Sequence, residues 1–368
     1  MNVAQMARHF AVPGQIVSAR PFGSGNVNDT YLVISRTTYS EVRFILQRIR
    51  KAVFAEPVNI MRNMRIICDH CHAKMEAEQA EADRVWQLPK IIETEDGADF
   101  AIDAQGDLWR AISHIASATA FEMVQNLEHA QEAGEVLGHF QRLISDIPTE
   151  KLVYTLPGFH VAPRYLEHLE RAATTPLGQT RLAASPEAQD CLAFVLARRE
   201  KCFVLENARE KGLLPLRPVH GDPKVGNIMI DEETKRGTCI VDLDTVQPGL
   251  IHYDIGDCMR SCCNPAGEDA MDLDAVRFDT RLCAAIYRGY FHETRSFVTA
   301  AEREYFYEAI HLLPLELGIR FLADYLAGDI YFKVRRPAHN LHRALVQFKL
   351  TESVEAQERE VRKILEKD

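Results

Sequence analysis

The stretch that most constrains this chain is "LRPVHGDPKVGNIMIDEETKRGTCIVDLDTVQPG", residues 216–249, a compact β-like island set between long helical patterns. Within it, "NIMI" and "CIVDL" are two apolar runs joined by the polar turn "DEETKRG", so the island predicts a hairpin. Its flanks carry His220, Asp222, Lys224, Asn227, Asp242 and Asp244, which the hairpin brings to one end. Asp, Asn, Gly and Pro also favour turns on their own account. An ordinary polar turn would not, however, need two carboxylates, an amide and an ammonium at the mouths of adjacent strands.

The rest of the chain divides around this island. "QIVSARPF", "TYLVIS" and "VRFILQRI" are short β-branched or aromatic runs separated by Gly, Asn, Asp and Ser-rich breaks, which predicts an antiparallel meander over Gln15–Phe22, Thr30–Ser35 and Val42–Ile49. "PVNIMRNMRIICDHCHAKM" follows as a helix with proline at a first-turn position. Further strands are expected at "PKIIET", "ADFAID" and "LWRAIS". From about Ser113 helical spacing takes over, in "FEMVQNLEHAQEAGEVLGHFQRLI", "AQDCLAFVLARREKCFVLENARE", "DTRLCAAIYRGYF", "EREYFYEAIHLLPLELGIRFLADYLAG" and a charged closing helix, "TESVEAQEREVRKILEK". The expectation is α+β, a small antiparallel-sheet lobe over residues 1–112 and a larger, mainly helical lobe over 113–368.

Composition removes several function classes. A net charge of −10 argues against a nucleic-acid binder, which needs a cationic face to displace counterions. The first residues lack the charge-then-apolar pattern of a leader, and no long uninterrupted apolar run occurs, so a cytoplasmic, non-membrane protein is expected. The nine cysteines sit mostly in apolar, helix-like segments, which suits reduced core thiols. Cys68 and Cys71 in "CDHCH" have the spacing of a zinc knuckle, but no second CxxC follows at a suitable distance, so a thiol-bearing helix face is the expectation.

The island's polar set points to a definite chemistry. Two carboxylates and an amide are hard oxygen ligands suited to Mg²⁺, which fills its other positions with water and substrate phosphates; a nucleoside triphosphate is the natural partner. His220-Gly221-Asp222 followed by Asn227 resembles the protein-kinase pattern H-R-D-x-x-x-x-N, with Asp242 as the metal-binding aspartate on the next strand. Lys224 stands where kinases hold a lysine against the γ-phosphate. His220 is expected to brace the loop. A phosphate-covering turn is expected at Gly23 and Gly25 in "RPFGSGNVNDTYLV". On the third strand, where kinases place a nucleotide-binding lysine, the chain reads "FIL" and then Gln47. Glutamine brings no charge, so Arg43, Arg48 or Lys224 is expected to supply it.

The motif resembles the aminoglycoside phosphotransferase-like branch of the kinases, and that resemblance implies that Asp254 and Asp257 of "VDLDTVQPGLIHYDIGD" buttress the catalytic loop. "SGNVNDTYLV", "FILQRI", "VNIMRNM", "VDLDTVQPG" and "GIRFLADYLAGDIYF" further resemble the N-acetylhexosamine 1-kinases. That resemblance implies a two-lobed kinase fold and Mg²⁺-dependent transfer from ATP to the anomeric hydroxyl of N-acetylglucosamine or N-acetylgalactosamine. It implies Asp222 as base, Asn227 and Asp242 as metal ligands, Gln47 at the nucleotide, and Arg320 and Tyr331 as sugar contacts. Asp324 and Asp329 are weaker sugar candidates. Arg320 has an alternative, an ion pair along its helix to Glu316 or Asp324. Two rival functions stand beside this one. The first is a kinase of choline, homoserine or an aminoglycoside, since the fold does not set the acceptor. The second is a catalytically silent nucleotide- or sugar-binding protein, suggested by the missing lysine.

Overall fold

The structure, a computed structural model, describes residues 2–23, 27–78 and 84–367. After a short helix α1 (Val3–Ala7), the expected meander forms as β1 (Gln15–Pro21), β2 (Asp29–Arg36) and β3 (Glu41–Arg48), paired antiparallel in sequence order. Helix α2 (Pro57–Glu78) follows, then β4 (Ile91–Ile92), β5 (Ala101–Ile102) and β6 (Leu108–Ser113). Strand β6 pairs with β3, β4 and β5, completing a six-stranded antiparallel sheet. Val33, Phe44, Leu46, Trp109 and Ala111 pack one face of this sheet against Met6, Ala7 and Phe10. Leu32, Ile45 and Ile112 pack the other against α2. Ile60, Met64, Ile67 and Cys71, three or four places apart, make the buried stripe of that helix.

The chain then enters the second lobe through β7 (Ala118–Ala120) and α3 (Leu127–Ile144). Phe121–Gln125, expected to be helical, precede the helix because Asn126 caps it, its side chain accepting from the His129 N–H at 2.8 Å. Helices α4 (Ala162–Thr174), α5 (Pro176–Ala184), α6 (Pro186–Ala197) and α7 (Val204–Glu210) lead to the island. The expected helix over 188–210 is therefore interrupted, by a 3₁₀ turn at Arg199–Phe203.

The island comprises β8 (Arg217–Val219), β9 (Ile228–Asp231), β10 (Gly237–Ile240) and β11 (Gln247–Gly249). β9 and β10 form the expected hairpin, extended by β7, while β8 pairs with β11. Then come α8 (Ile251–Cys262), α9 (Thr280–Thr294), α10 (Ala300–Glu304), α11 (Phe306–Ala327), α12 (His339–Ala356) and α13 (Glu358–Leu365). The expected closing helix is two helices, broken at Gln357.

Ile228, Ile230, Ile240, Leu243 and Val246 sink the island into a core made by α3, α8 and α9, so its strand ends are rigidly mounted. Close helix crossing makes this possible. A Cβ on Gly134 of α3 would fall on the carbonyl oxygen of Ile286 in α9. Among the described residues no helix is long and apolar enough to cross a membrane.

Candidate active site

The loop between β8 and β9 is built around a neutral histidine. His220 is fully buried, its Nδ1 accepts from the Asp222 N–H at 3.2 Å, and its Nε2 lies 3.0 Å from the Val241 carbonyl oxygen, to which it donates. Burial lowers its pKa, which keeps this one tautomer in place. Beneath it, Asp254 of α8 accepts from the backbone N–H groups of His220 at 2.8 Å and Gly221 at 2.7 Å, and from Gln141 Nε2 at 2.9 Å. Burial raises the Asp254 pKa, yet three donors aimed at one carboxylate favour its charged form. Asp254 is thus the buttress expected from the sequence. Asp257 instead pairs within its own helix with Arg260 at 2.8 Å.

Loop position is also fixed from the opposite side. His160 lies 2.9 Å from Glu316 Oε1 through Nδ1 and 2.7 Å from the Gly221 carbonyl oxygen through Nε2. Both partners accept, so both ring nitrogens carry protons. Burial works against that charge, and Glu316 outweighs it, so the net shift is upward. A histidine whose folded pKa exceeds its unfolded one stabilises the fold fully below the unfolded value. That contribution fades as pH rises through the folded value. The stability advantage of the wild type over His160→Gln is therefore expected to shrink as pH rises above about 6.5. Thermal unfolding of both proteins from pH 6 to 9 checks this; a constant difference would contradict it.

At the mouth of the hairpin, the Val241 N–H donates to the Asn227 carbonyl oxygen at 2.9 Å, which sets Asn227 and Asp242 side by side. The Asn227 amide donates to the Asp222 carbonyl oxygen at 2.7 Å and to Asp222 Oδ2 at 3.2 Å. Lys224 Nζ donates to the same Oδ2. Its cost of leaving water is outweighed by Asp222 and Asp242, which hold its pKa above the usual value, so it stays charged. Asp222 Oδ1, Asn227 Oδ1 and both Asp242 carboxylate oxygens accept no hydrogen bond from any described residue. Asp242 adopts a left-handed backbone, φ 67°, and stands exposed where β10 ends. Desolvation by the surrounding protein, and then the neighbouring Asp244 carboxylate, raise its pKa. A divalent cation relieves that repulsion, and the free oxygens of Asn227 and Asp242 are donors of the kind Mg²⁺ takes.

The small lobe differs from expectation. Gln47 is half-buried on β3, directly opposite Arg110 of β6. Arg43 is tied to Glu41 at 3.1 Å and Arg48 to Asp29 at 2.5 Å, so both already have carboxylate partners. The cation behind Gln47 is Arg110, whose Nε and Nη2 donate to Gln47 Oε1 at 2.9 and 2.7 Å. Its only sequence signal was an arginine at a buried position of the apolar strand "LWRAIS". Gly23 has φ 77° and open space where a Cβ would stand, which suits a turn beside a ligand; Gly25 lies outside the described residues.

A cavity of about 480 Å³ opens beside the loop, lined by Phe159, Arg164, Tyr165, Arg320, Tyr331 and Phe332 among others. Phe159 precedes His160, whose ring holds Gly221, so the cavity wall and the Asp222 loop are joined directly. The Arg320 guanidinium carbon lies 5.3 Å from the Phe159 ring centre, 5.0 Å from Tyr165 and 5.5 Å from Phe332. Among the described residues it makes neither an ion pair nor a hydrogen bond. Glu316 is on His160, and Asp324 accepts from the N–H groups of Ile330, Tyr331 and Phe332 at 2.8–3.0 Å. Asp329 binds Arg181 at 2.6 Å and Asn340 at 3.0 Å. Asp324 and Asp329 are therefore loop anchors and leave no carboxylate free for a sugar. Tyr331 stands half-exposed at the cavity edge.

Elsewhere, Cys68 and Cys71 face the core with thiols held protonated by burial, Cys68 up to about 12. His70 and His72 turn away to Asp146 at 2.9 Å and the Leu88 carbonyl at 3.1 Å.

Residues 18–296 match the model of the phosphotransferase enzyme family, APH. Among solved structures, the chain is similar to the microcompartment-associated aminopropanol kinase, with 15% identity over 98% of this chain and 97% of that one and a TM-score of 0.61. It is likewise similar to an aminoglycoside phosphotransferase from Alicyclobacillus acidocaldarius, with 14% identity over 100% and 97% and a TM-score of 0.59. A third is the choline/ethanolamine kinase family protein from Mesorhizobium loti, with 16% identity over 93% and 98% and a TM-score of 0.50.

Proposed function

This chain belongs to the phosphotransferase enzyme family, and we propose that it transfers the γ-phosphoryl group of ATP to the anomeric 1-hydroxyl of N-acetylglucosamine or N-acetylgalactosamine. The observation that carries the acceptor is Arg320. Three aromatic faces that could hold a quaternary or primary ammonium are already filled by a guanidinium. The cavity's one carboxylate, Asp324, is saturated by backbone donors. Choline, ethanolamine, aminopropanol and the polycationic aminoglycosides would meet a positive charge there. A neutral sugar meets what it needs, aromatic surface for its C–H face and a guanidinium for acetamide and hydroxyl oxygens.

In the proposed reaction Asp222 Oδ1 takes the proton of the 1-hydroxyl as that oxygen bonds to the γ-phosphorus. The bond from γ-phosphorus to the bridging oxygen breaks, and ADP leaves. Lys224 and Asn227 hold Asp222 Oδ2, which leaves Oδ1 as the oxygen presented to the acceptor. Bound Mg²⁺, held by Asn227 Oδ1 and Asp242, would neutralise charge on the phosphate oxygens. Positioning and electrostatics supply most of the rate in such transfers.

A second reading has one observation in its favour. Arg164 also lines the cavity and makes no ion pair among the described residues, so an acceptor bearing a carboxylate, as homoserine does, would suit two guanidinium groups. Coupled ADP release across N-acetylglucosamine, N-acetylgalactosamine, homoserine, choline and an aminoglycoside tests both. The two N-acetylhexosamines are expected to stimulate release and the cationic acceptors to leave it at background. Choline-dependent release would overturn the acceptor assignment. Silence across the whole panel would favour a binding protein.

A further inference from the structure

We propose that Gln47, Arg110 and Asp244 form a positioning relay that joins the phosphate side of the small lobe to the metal-binding aspartate of the large lobe. It rests on the kinase reading above. Arg110 is 1% exposed, and its guanidinium cannot shed its charge, so its partners define its role. Nη2 lies 2.5 Å from Asp244 Oδ1, and Nη1 lies 3.6 Å from Met64 Sδ on α2. That helix therefore presents a thioether to the cation. The carboxylate that balances it comes from the other lobe.

Gln47 is oriented as a result. With Oε1 accepting twice from Arg110, its amide nitrogen is the end left outward, 3.0 Å from Thr30 Oγ1, where it can donate to a phosphate oxygen. Asp244 lies two residues past Asp242 and is 2% exposed; its Oδ2 accepts from Asn28 Nδ2 at 2.5 Å. Asn28 follows the glycine turn and also accepts from the Arg50 N–H at 3.2 Å. From α2, the fully buried Asn63 donates to the Val246 carbonyl at 2.8 Å and the Val153 carbonyl at 2.7 Å. Three small-lobe side chains thus converge on Asp244–Val246. The spacing between Gln47 and Asp242 is set through Arg110.

A buried ion pair is weak evidence for stability, because apolar residues of similar volume often serve as well or better. The relay therefore makes a prediction that a merely structural pair does not. Arg110→Met alone leaves Asp244 buried and uncompensated and is expected to lower the melting temperature. Arg110→Met/Asp244→Asn removes both charges and is expected to regain most of that stability. The double variant should nonetheless keep a KM for ATP raised by about tenfold or more, the scale of a lost charged hydrogen bond, with the acceptor KM within about twofold of wild type. Arg110→Lys, in the otherwise native chain, should recover part of the ATP effect. Binding of Mg·ADP by calorimetry is measured alongside. Recovery of the ATP KM together with the melting temperature in the double variant would overturn the relay. Wild-type protein that binds no Mg·ADP would overturn the kinase reading, and the relay with it.

Discussion

Asparagine in place of Asp222 is expected to lower turnover by about 10²- to 10⁴-fold, the usual scale for a general base, while folding and nucleotide binding persist. The substitution is nearly isosteric. One oxygen remains to accept from Lys224 and Asn227, which now converge on Oδ2, so the loop keeps its internal bonds. The backbone of the loop is held separately, by Asp254 on one side and His160 on the other. What the variant loses is the second oxygen as a proton acceptor. An amide N–H pointing at the acceptor hydroxyl would donate where the reaction needs an acceptor. Single-turnover rates with saturating ATP, together with Mg·ADP affinity, separate the two effects. Wild-type-like turnover would remove Asp222 from the chemistry.

The second large effect is expected at Arg320. Arg320→Ala should raise the KM for the sugar by about 10- to 100-fold, the range for losing one or two hydrogen bonds to a charged group, and leave the KM for ATP near its wild-type value. The guanidinium sits among three rings and makes no ion pair or hydrogen bond among the described residues, so its removal breaks none of those. Folding is therefore expected to change less than binding. Arg320→Lys keeps the charge but loses the planar fork, and should fall between. An unchanged sugar KM in Arg320→Ala would show that the acceptor binds elsewhere.

Much of this site was legible in the sequence because local spacing encoded it. The hairpin of β9 and β10, the bracing role of His220 and the adjacency of Asn227 and Asp242 follow from short-range pattern, and the Asp254 buttress from the family resemblance. The misjudged residues depend on partners that only the folded chain sets beside them, some a few positions away and some far along the sequence. Asp324 and Asp329 look like free acceptors in "RFLADYLAGDIY", yet they are occupied by a loop and by Arg181, 148 residues before Asp329. Arg43 and Arg48 looked available until their neighbouring carboxylates were placed.

Arg110 was the residue missed. A charged side chain on a buried strand is legible only as an anomaly, and its partner Asp244 lies 134 positions later, in the other lobe. Helix breaks at Arg199–Phe203 and Gln357 were hidden for a related reason. Periodicity ran on through both, while tertiary packing set where each helix turned.

The measurement that tests the central claim most directly is the NMR spectrum of the product formed from ATP, Mg²⁺ and N-acetylglucosamine. Phosphorus coupling to the anomeric proton and to C1 and C2 is the predicted result, with stoichiometric ADP. Phosphorus coupled to C3, C4 or C6 instead, or ADP formed without any sugar phosphate, would contradict transfer to the 1-hydroxyl.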